Sequence, residues 1–220
     1  MIPGKPNNNG RIMNPSTGRK TLLLTGGSGQ LGTAILDLLG DQLDVIALTH
    51  ASGLSTASQE ASVFDLEAGQ QKKPFVRTVA CDLTSEEQIV KTIQDIVSIG
   101  PRIDYVIAAA GDGRFLGPTT DALMLLGDVR RQFDLHVFAP ALICSALFHY
   151  QWKHLPVEGR TTSVLLISSL AGSELFKNSD QGFYAASKAA TNMLVMHMAD
   201  EYGRYGIAVN ALAPNSFPSG

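Results

Sequence analysis

Six short runs, at residues 21–25, 45–48, 76–80, 103–109, 163–168 and 207–212, punctuate the chain and read as strands. The first carries only apolar or threonine side chains, the pattern of a strand covered on both faces of a parallel sheet, and the runs at 45–48, 76–80 and 103–109 repeat it with Arg77 and Asp104 as interruptions. Between the runs the period changes. Residues 30–39 read as a helix. Thr84 with Glu87 three positions on forms a capping box, after which Ile89, Ile93, Ile96 and Val97 recur at helical spacing. Residues 123–152 and 184–202 are also predicted helical. Residues 51–74, rich in Ser, Ala and Gln, are longer than a usual connection and form an insertion with one weak helix around 58–67. Because parallel strands need right-handed crossovers that place helices on both faces, this alternation predicts an α/β fold, a doubly wound parallel sheet in a single domain over residues 21–220.

Residues 1–20, rich in Pro, Gly and Asn, contain no signal-peptide core and are expected to be a flexible arm. The apolar run at 137–148 is too short for a bilayer, which takes roughly 20 residues, and contains Pro140. A net charge of -3 with 17 Lys and Arg among 220 residues gives no footprint for nucleic acid or an anionic membrane. Cys81 and Cys144 make no CxxC or His-Cys pattern, so both are expected to be buried thiols, with no metal, in a reducing, cytoplasmic setting.

The candidate chemistry begins at Thr25-Gly26-Gly27-Ser28-Gly29-Gln30-Leu31-Gly32, between the first strand and the first helix. In that context Gly26 allows the tight turn, Gly29 the approach of a pyrophosphate to bare backbone, and Gly32 the close packing of helix on strand. The helix N-terminus then faces the phosphates. At the end of the second strand, where NAD enzymes commonly place an acid for the ribose hydroxyls, this chain reads Thr49-His50-Ala51. The missing carboxylate leans towards NADP(H), with NAD(H) still open, and His50 and Ser52 are candidate phosphate partners without an arginine to help them. Asp82 could meet the adenine edge or simply cap a turn. Further on, Tyr184 and Lys188 stand four residues apart, on one helix face, after a buried strand that ends in Ser168-Ser169.

In this order the glycine loop, Cys81-Asp82-Leu83, Ala110-Gly111, Ile167-Ser168-Ser169, Tyr184 with Lys188, and Val209-Asn210-Ala211 with Pro214 resemble the short-chain dehydrogenase/reductase family over residues 20–214. The resemblance implies a Rossmann fold, with cofactor contacts at the loop residues, Asp82, Leu83, Ala110, Gly111, Tyr184, Lys188 and Pro214. It also implies that Ser169 orients the substrate oxygen, that Tyr184 is the acid/base, and that Lys188 holds the nicotinamide ribose and favours loss of the phenolic proton. A phenol titrates near 10, and bringing it to neutrality takes around 4 kcal/mol. One ammonium about 4 Å away supplies roughly that much at an effective dielectric of 20. No GxSxG elbow points to a serine hydrolase instead.

Several positions depart from the family. The glycine spacing is nearer its nucleotide-sugar branch, Ala108 and Ala109 replace two asparagines, and His136 stands where the family carries a catalytic Asn. A histidine can hydrogen-bond water and shuttle protons near neutral pH, or serve as a helix residue satisfied by a backbone carbonyl. The substrate helix and last strand that family members carry are absent before Gly220, which would leave the pocket open on one side. The expectation is an NAD(P)-dependent oxidoreductase of a ketone or secondary alcohol. The alternatives are a dinucleotide-binding scaffold with little activity and a nucleotide-sugar epimerase or reductase. Apolar residues around the 137–150 helix, and at 193–198, predict a homodimer or homotetramer. Arg114, Phe115, Phe176, Lys177 and Phe183 are candidate pocket residues for an unidentified small molecule.

Overall fold

A computed structural model describes residues 19–50, 75–111 and 117–215. Six strands, β1 (Thr21–Thr25), β2 (Asp44–Thr49), β3 (Val76–Ala80), β4 (Tyr105–Ala108), β5 (Ser163–Ile167) and β6 (Ala208–Leu212), form one parallel sheet in the order β3-β2-β1-β4-β5-β6. The apolar run of β1 is explained by its central place. Leu22 and Leu24 pack with Val45 beneath α1 (Gln30–Leu39), whereas Leu23 faces the larger core on the other side. That larger core is filled by Ile89, Ile93 and Ile96 of α2 (Glu86–Ile99), Ile143 and Leu147 of α4 (Ala139–Tyr150), and Val195 and Met198 of α5 (Gly182–Gly203). The doubly wound, single-domain architecture expected from the alternation is therefore the one observed. Strand order reverses between β1 and β4, so their outgoing loops part and open a crevice at the carboxyl edge.

Three local expectations change. Helix α2 is capped by Ser85, whose hydroxyl accepts from Gln88 N at 3.3 Å. Thr84 is not the cap, because its N–H and Oγ1–H both donate to Asp82 Oδ1, at 2.9 and 2.8 Å. The helix expected over 123–152 is segmented into α3 (Ala122–Phe133), a π-helical turn (Asp134–Phe138) and α4, followed by a 3-10 turn (Trp152–His154). A π turn closes i to i+5 and so holds one more residue than an α turn, and it often marks functional sites. The apolar run there is also longer than 137–148, since residues 119–154 are long and apolar enough by composition to cross a membrane. Within that stretch Ile143, Leu147 and Trp152 are fully buried in the core.

Of the expected arm, residues 1–18 lie outside the described residues, while Arg19 pairs with Asp44 at 3.1 Å and Lys20 with the buried Asp104 at 3.0 Å. The insertion at 51–74, with Ser52, also lies outside them, as do Arg114 and Phe115. Cys81 and Cys144 are free and buried, as expected, and burial pushes the Cys144 thiol up to about 12.

Candidate functional site

The chain enters the crevice through Gly26, whose φ of +73° belongs to the left-handed region open to glycine. A side chain there would also collide, since its Cβ would lie 2.7 Å from Ala110 Cα. Gly32 is packed harder, with a Cβ position 2.1 Å from Gly26 O, which is the close contact of helix on loop expected of it. At Gly29 a Cβ would meet only Gly26 O at 3.3 Å, and no side chain caps α1 at its Gly29 N-terminus. Bare backbone and the first N–H groups of the helix therefore face the cleft together, the arrangement that favours a bound phosphate. The β1 and β4 exits are held in register by Thr25 Oγ1, which accepts from Ala110 N at 3.1 Å, so the sheet is tied here without the asparagine amides missing at 108 and 109.

These groups line a cleft of about 340 Å³ with Ser28, His50, Asp82, Leu83, Ala110, Gly111, Arg131 and Leu135. Gln30, Leu31 and Gly32 start α1 behind the loop and are not part of its wall. Asp82 is held below the usual carboxylate range, first by the backbone and hydroxyl hydrogen bonds of Thr84, then by the charges of His50 and Arg131. Arg131 has no counterpart among the residues expected from sequence. It is carried into the cleft from α3, far along the chain from β2, and only the fold brings it there.

The second cluster gathers where β5 meets α5. Ser169, buried, caps a 3-10 turn (Leu170–Gly172) and its Oγ accepts from Ala171 N at 3.2 Å, which leaves the hydroxyl proton to donate. Pro214 sits on this side, with its carbonyl accepting from Leu170 N at 3.0 Å. Lys188, only 5% exposed, donates from Nζ to Ile167 O at 2.9 Å and lies 5.7 Å from the Tyr184 ring centroid. Burial pushes its amine down to about 8.

His136, in the π turn, packs edge-on to Tyr184 with centroids 5.7 Å apart. Its Nδ1 lies 2.9 Å from Ser187 Oγ. Since Ser187 gives its own proton to Tyr184 O at 2.7 Å, it accepts from a protonated Nδ1. The ring's other edge faces Gly111, where a Cβ would come within 2.8 Å of Nε2. At the start of α5 lies a further hollow of about 430 Å³, walled by Pro118, Leu175, Phe176, Lys177 and Ala185, so Phe176 and Lys177 line it and Phe183 does not.

A family model for short chain dehydrogenases matches residues 20–219. The chain belongs to that family. Among its relatives, the 7alpha-hydroxysteroid dehydrogenase of Escherichia coli is 32% identical over 178 residues, 78% of this chain and 65% of the relative. Of solved structures, the blue fluorescent protein from a metagenomic library in complex with NADPH is 25% identical, with a TM-score of 0.70 over 91% of this chain and 75% of the other. NAD+-bound xylitol dehydrogenase, at 24% identity, shares the fold with a TM-score of 0.71 over 91% and 72% of the two chains. The chain spans about two-thirds of the length of the curated relatives it matches. A short-chain dehydrogenase of this kind is an oxidoreductase with a dinucleotide site, and the cradle described here fits one: bare glycine backbone, an uncapped helix end and an open cleft at the switch point.

Proposed function

We propose that this chain is an NAD(P)-dependent oxidoreductase that interconverts a ketone and a secondary alcohol, with NADP(H) favoured over NAD(H). The observation that carries the reading is the buried Lys188 ammonium beside the Tyr184 ring, next to His136, whose other edge faces Gly111 of the glycine-lined crevice. Gly26, Ser28, Gly29, Ala110 and Gly111 would hold the dinucleotide with Asp82 and Leu83, His50 standing at its adenosine side. The nicotinamide, when bound, supplies or accepts the hydride.

The chain's own residues supply the proton and the hydrogen bonds. Ser169 donates from Oγ to the substrate oxygen, where negative charge develops as the carbonyl is reduced. Tyr184 delivers its phenolic proton to that oxygen, or takes the proton from the hydroxyl in the reverse direction. Lys188 favours the phenolate electrostatically and keeps protons on Nζ, besides the one given to Ile167 O, for a ribose hydroxyl. His136 positions the phenol, through ring contact and through Ser187 on the Tyr184 carbonyl. The hollow at the start of α5, with Leu175 and Phe176 in its wall, receives the substrate. Exposed Phe138, Tyr150, Met193 and Met196 support the expected homo-oligomer, and two unpaired thiols support a cytoplasmic setting.

Tyr184→Phe tests this directly, because it removes the proton and leaves the carbonyl contact to Ser187. Turnover on a ketone panel should fall by about 10² to 10⁴ while the cofactor dissociation constant, read from nicotinamide fluorescence, stays the same. Unchanged turnover would remove Tyr184 from the chemistry, and a wild type that binds cofactor yet turns over nothing would favour the scaffold alternative.

A further inference from the structure

We propose that Arg131 is the residue by which this protein selects NADP(H), its guanidinium receiving the adenosine 2′-phosphate. This rests on the dinucleotide reading above and names a specificity residue within it.

Four observations converge on Arg131. First, β2 ends in Thr49-His50, so no carboxylate at that strand end opposes a phosphate. Second, among the described residues that line the cleft, Arg131 is the one that brings a permanent positive charge, with His50 also in the wall and Asp82 the single acid. Third, Arg131 is half-buried and lines the cleft together with Leu135, four positions on, whereas the adjacent Arg130 is exposed and takes no part in the wall. The helix therefore aims this one arginine inward. Fourth, Asp82 does not offer both its oxygens to a guanidinium, because Oδ1 is held by the Thr84 backbone and hydroxyl. The Arg131 charge nonetheless reaches the Asp82 carboxylate, so the guanidinium acts at the same end of the cleft as Asp82 and His50.

The chemistry of the match is specific. A guanidinium presents a planar fork of donors suited to two phosphate oxygens at once, and such charge-assisted pairs are about twice as strong as neutral hydrogen bonds. NAD(H) carries hydroxyls there and gains nothing comparable. Net selectivity then comes from an attractive element, Arg131, together with a β2 end, Thr49-His50, that carries no repulsive acid.

The test is a set of binding titrations on the whole chain: NADPH and NADH by nicotinamide fluorescence, and 2′,5′-ADP against 5′-ADP by calorimetry. Wild type is compared with Arg131→Ala, Arg131→Lys and Arg130→Ala, with thermal melts to confirm that each is folded. Arg131→Ala should weaken NADPH and 2′,5′-ADP by about 10-fold to 100-fold and leave NADH and 5′-ADP within about threefold. Arg131→Lys should fall between, since it keeps the charge and loses the fork. Arg130→Ala removes the same charge outside the cleft and should change nothing. An equal loss for NADPH and NADH would place the guanidinium on a part shared by both cofactors and overturn the proposal, as would no loss at all. A wild type that binds neither cofactor would instead fail the dinucleotide reading itself, and this inference with it.

Discussion

Replacing Lys188 by Met should make the protein more stable at neutral pH while it removes function. The amine is buried and shifted from an ordinary 10.5 to about 8, so keeping it charged in the folded state below pH 8 costs about 3 kcal/mol. Methionine has similar length and removes that cost. Against this stands the hydrogen bond to Ile167 O, whose loss leaves a carbonyl short of a donor for about 1 to 2 kcal/mol. The difference, about 1 to 2 kcal/mol in favour of the variant, corresponds to a melting temperature about 3 to 6 °C higher for a domain of this size. The pH dependence separates this cause from better packing. Between about pH 8 and 10.5 the unfolded wild type binds the lysine proton more tightly than the folded one, so wild-type stability gains from this group as pH rises through the window. Urea unfolding of both proteins at pH 7 and pH 10 should therefore show the advantage of Lys188→Met shrinking or reversing at the higher pH. A variant less stable at pH 7, or a gap that does not move with pH, would refute the reasoning.

Two further substitutions probe the frame of the site. Gly32→Ala places a methyl group 2.1 Å from Gly26 O, against backbone that cannot move without opening the loop. It should abolish detectable cofactor binding by fluorescence titration, and wild-type affinity would show that the loop is less tightly packed than described. Trp152 is buried and its indole N–H donates to Ile103 O at 2.9 Å, so Trp152→Phe should lower stability by about 1 to 3 kcal/mol in urea unfolding; a loss under about 0.5 kcal/mol would mean that the hydrogen bond is not needed.

The sequence made some of this legible and hid the rest for physical reasons. Strand runs and the 30–39 helix stand out because a parallel sheet covered on both faces must be apolar at consecutive positions, a local property. The glycine loop, Ser169, Tyr184 and Lys188 are short-range patterns next to those runs, and the fold puts the Lys188 amine on the end of β5 beside the Tyr184 ring. What stayed hidden depends on distant chain. Thr84 satisfies the spacing of a capping box, yet the Asp82 carboxylate takes its donors and passes the cap to Ser85. His136 Nδ1 meets Ser187, on another helix. Arg131 is one of several arginines in sequence, and only its place in the wall of the cleft with Thr49, His50 and Asp82 sets it apart.

The π turn between α3 and α4 can be thought of as a hinge pin made from a single residue. With one residue fewer the two helices would join as one regular α-helix, but one half would be turned by roughly 100° relative to the other. Either Ile143 and Leu147 would leave the core, or Arg131, Leu135 and His136 would leave the crevice and Tyr184. Deletion of one codon in the π turn is thus enough to uncouple the half of this helix that packs the core from the half that lines the crevice, although no atom of the glycine loop or of Lys188 is altered.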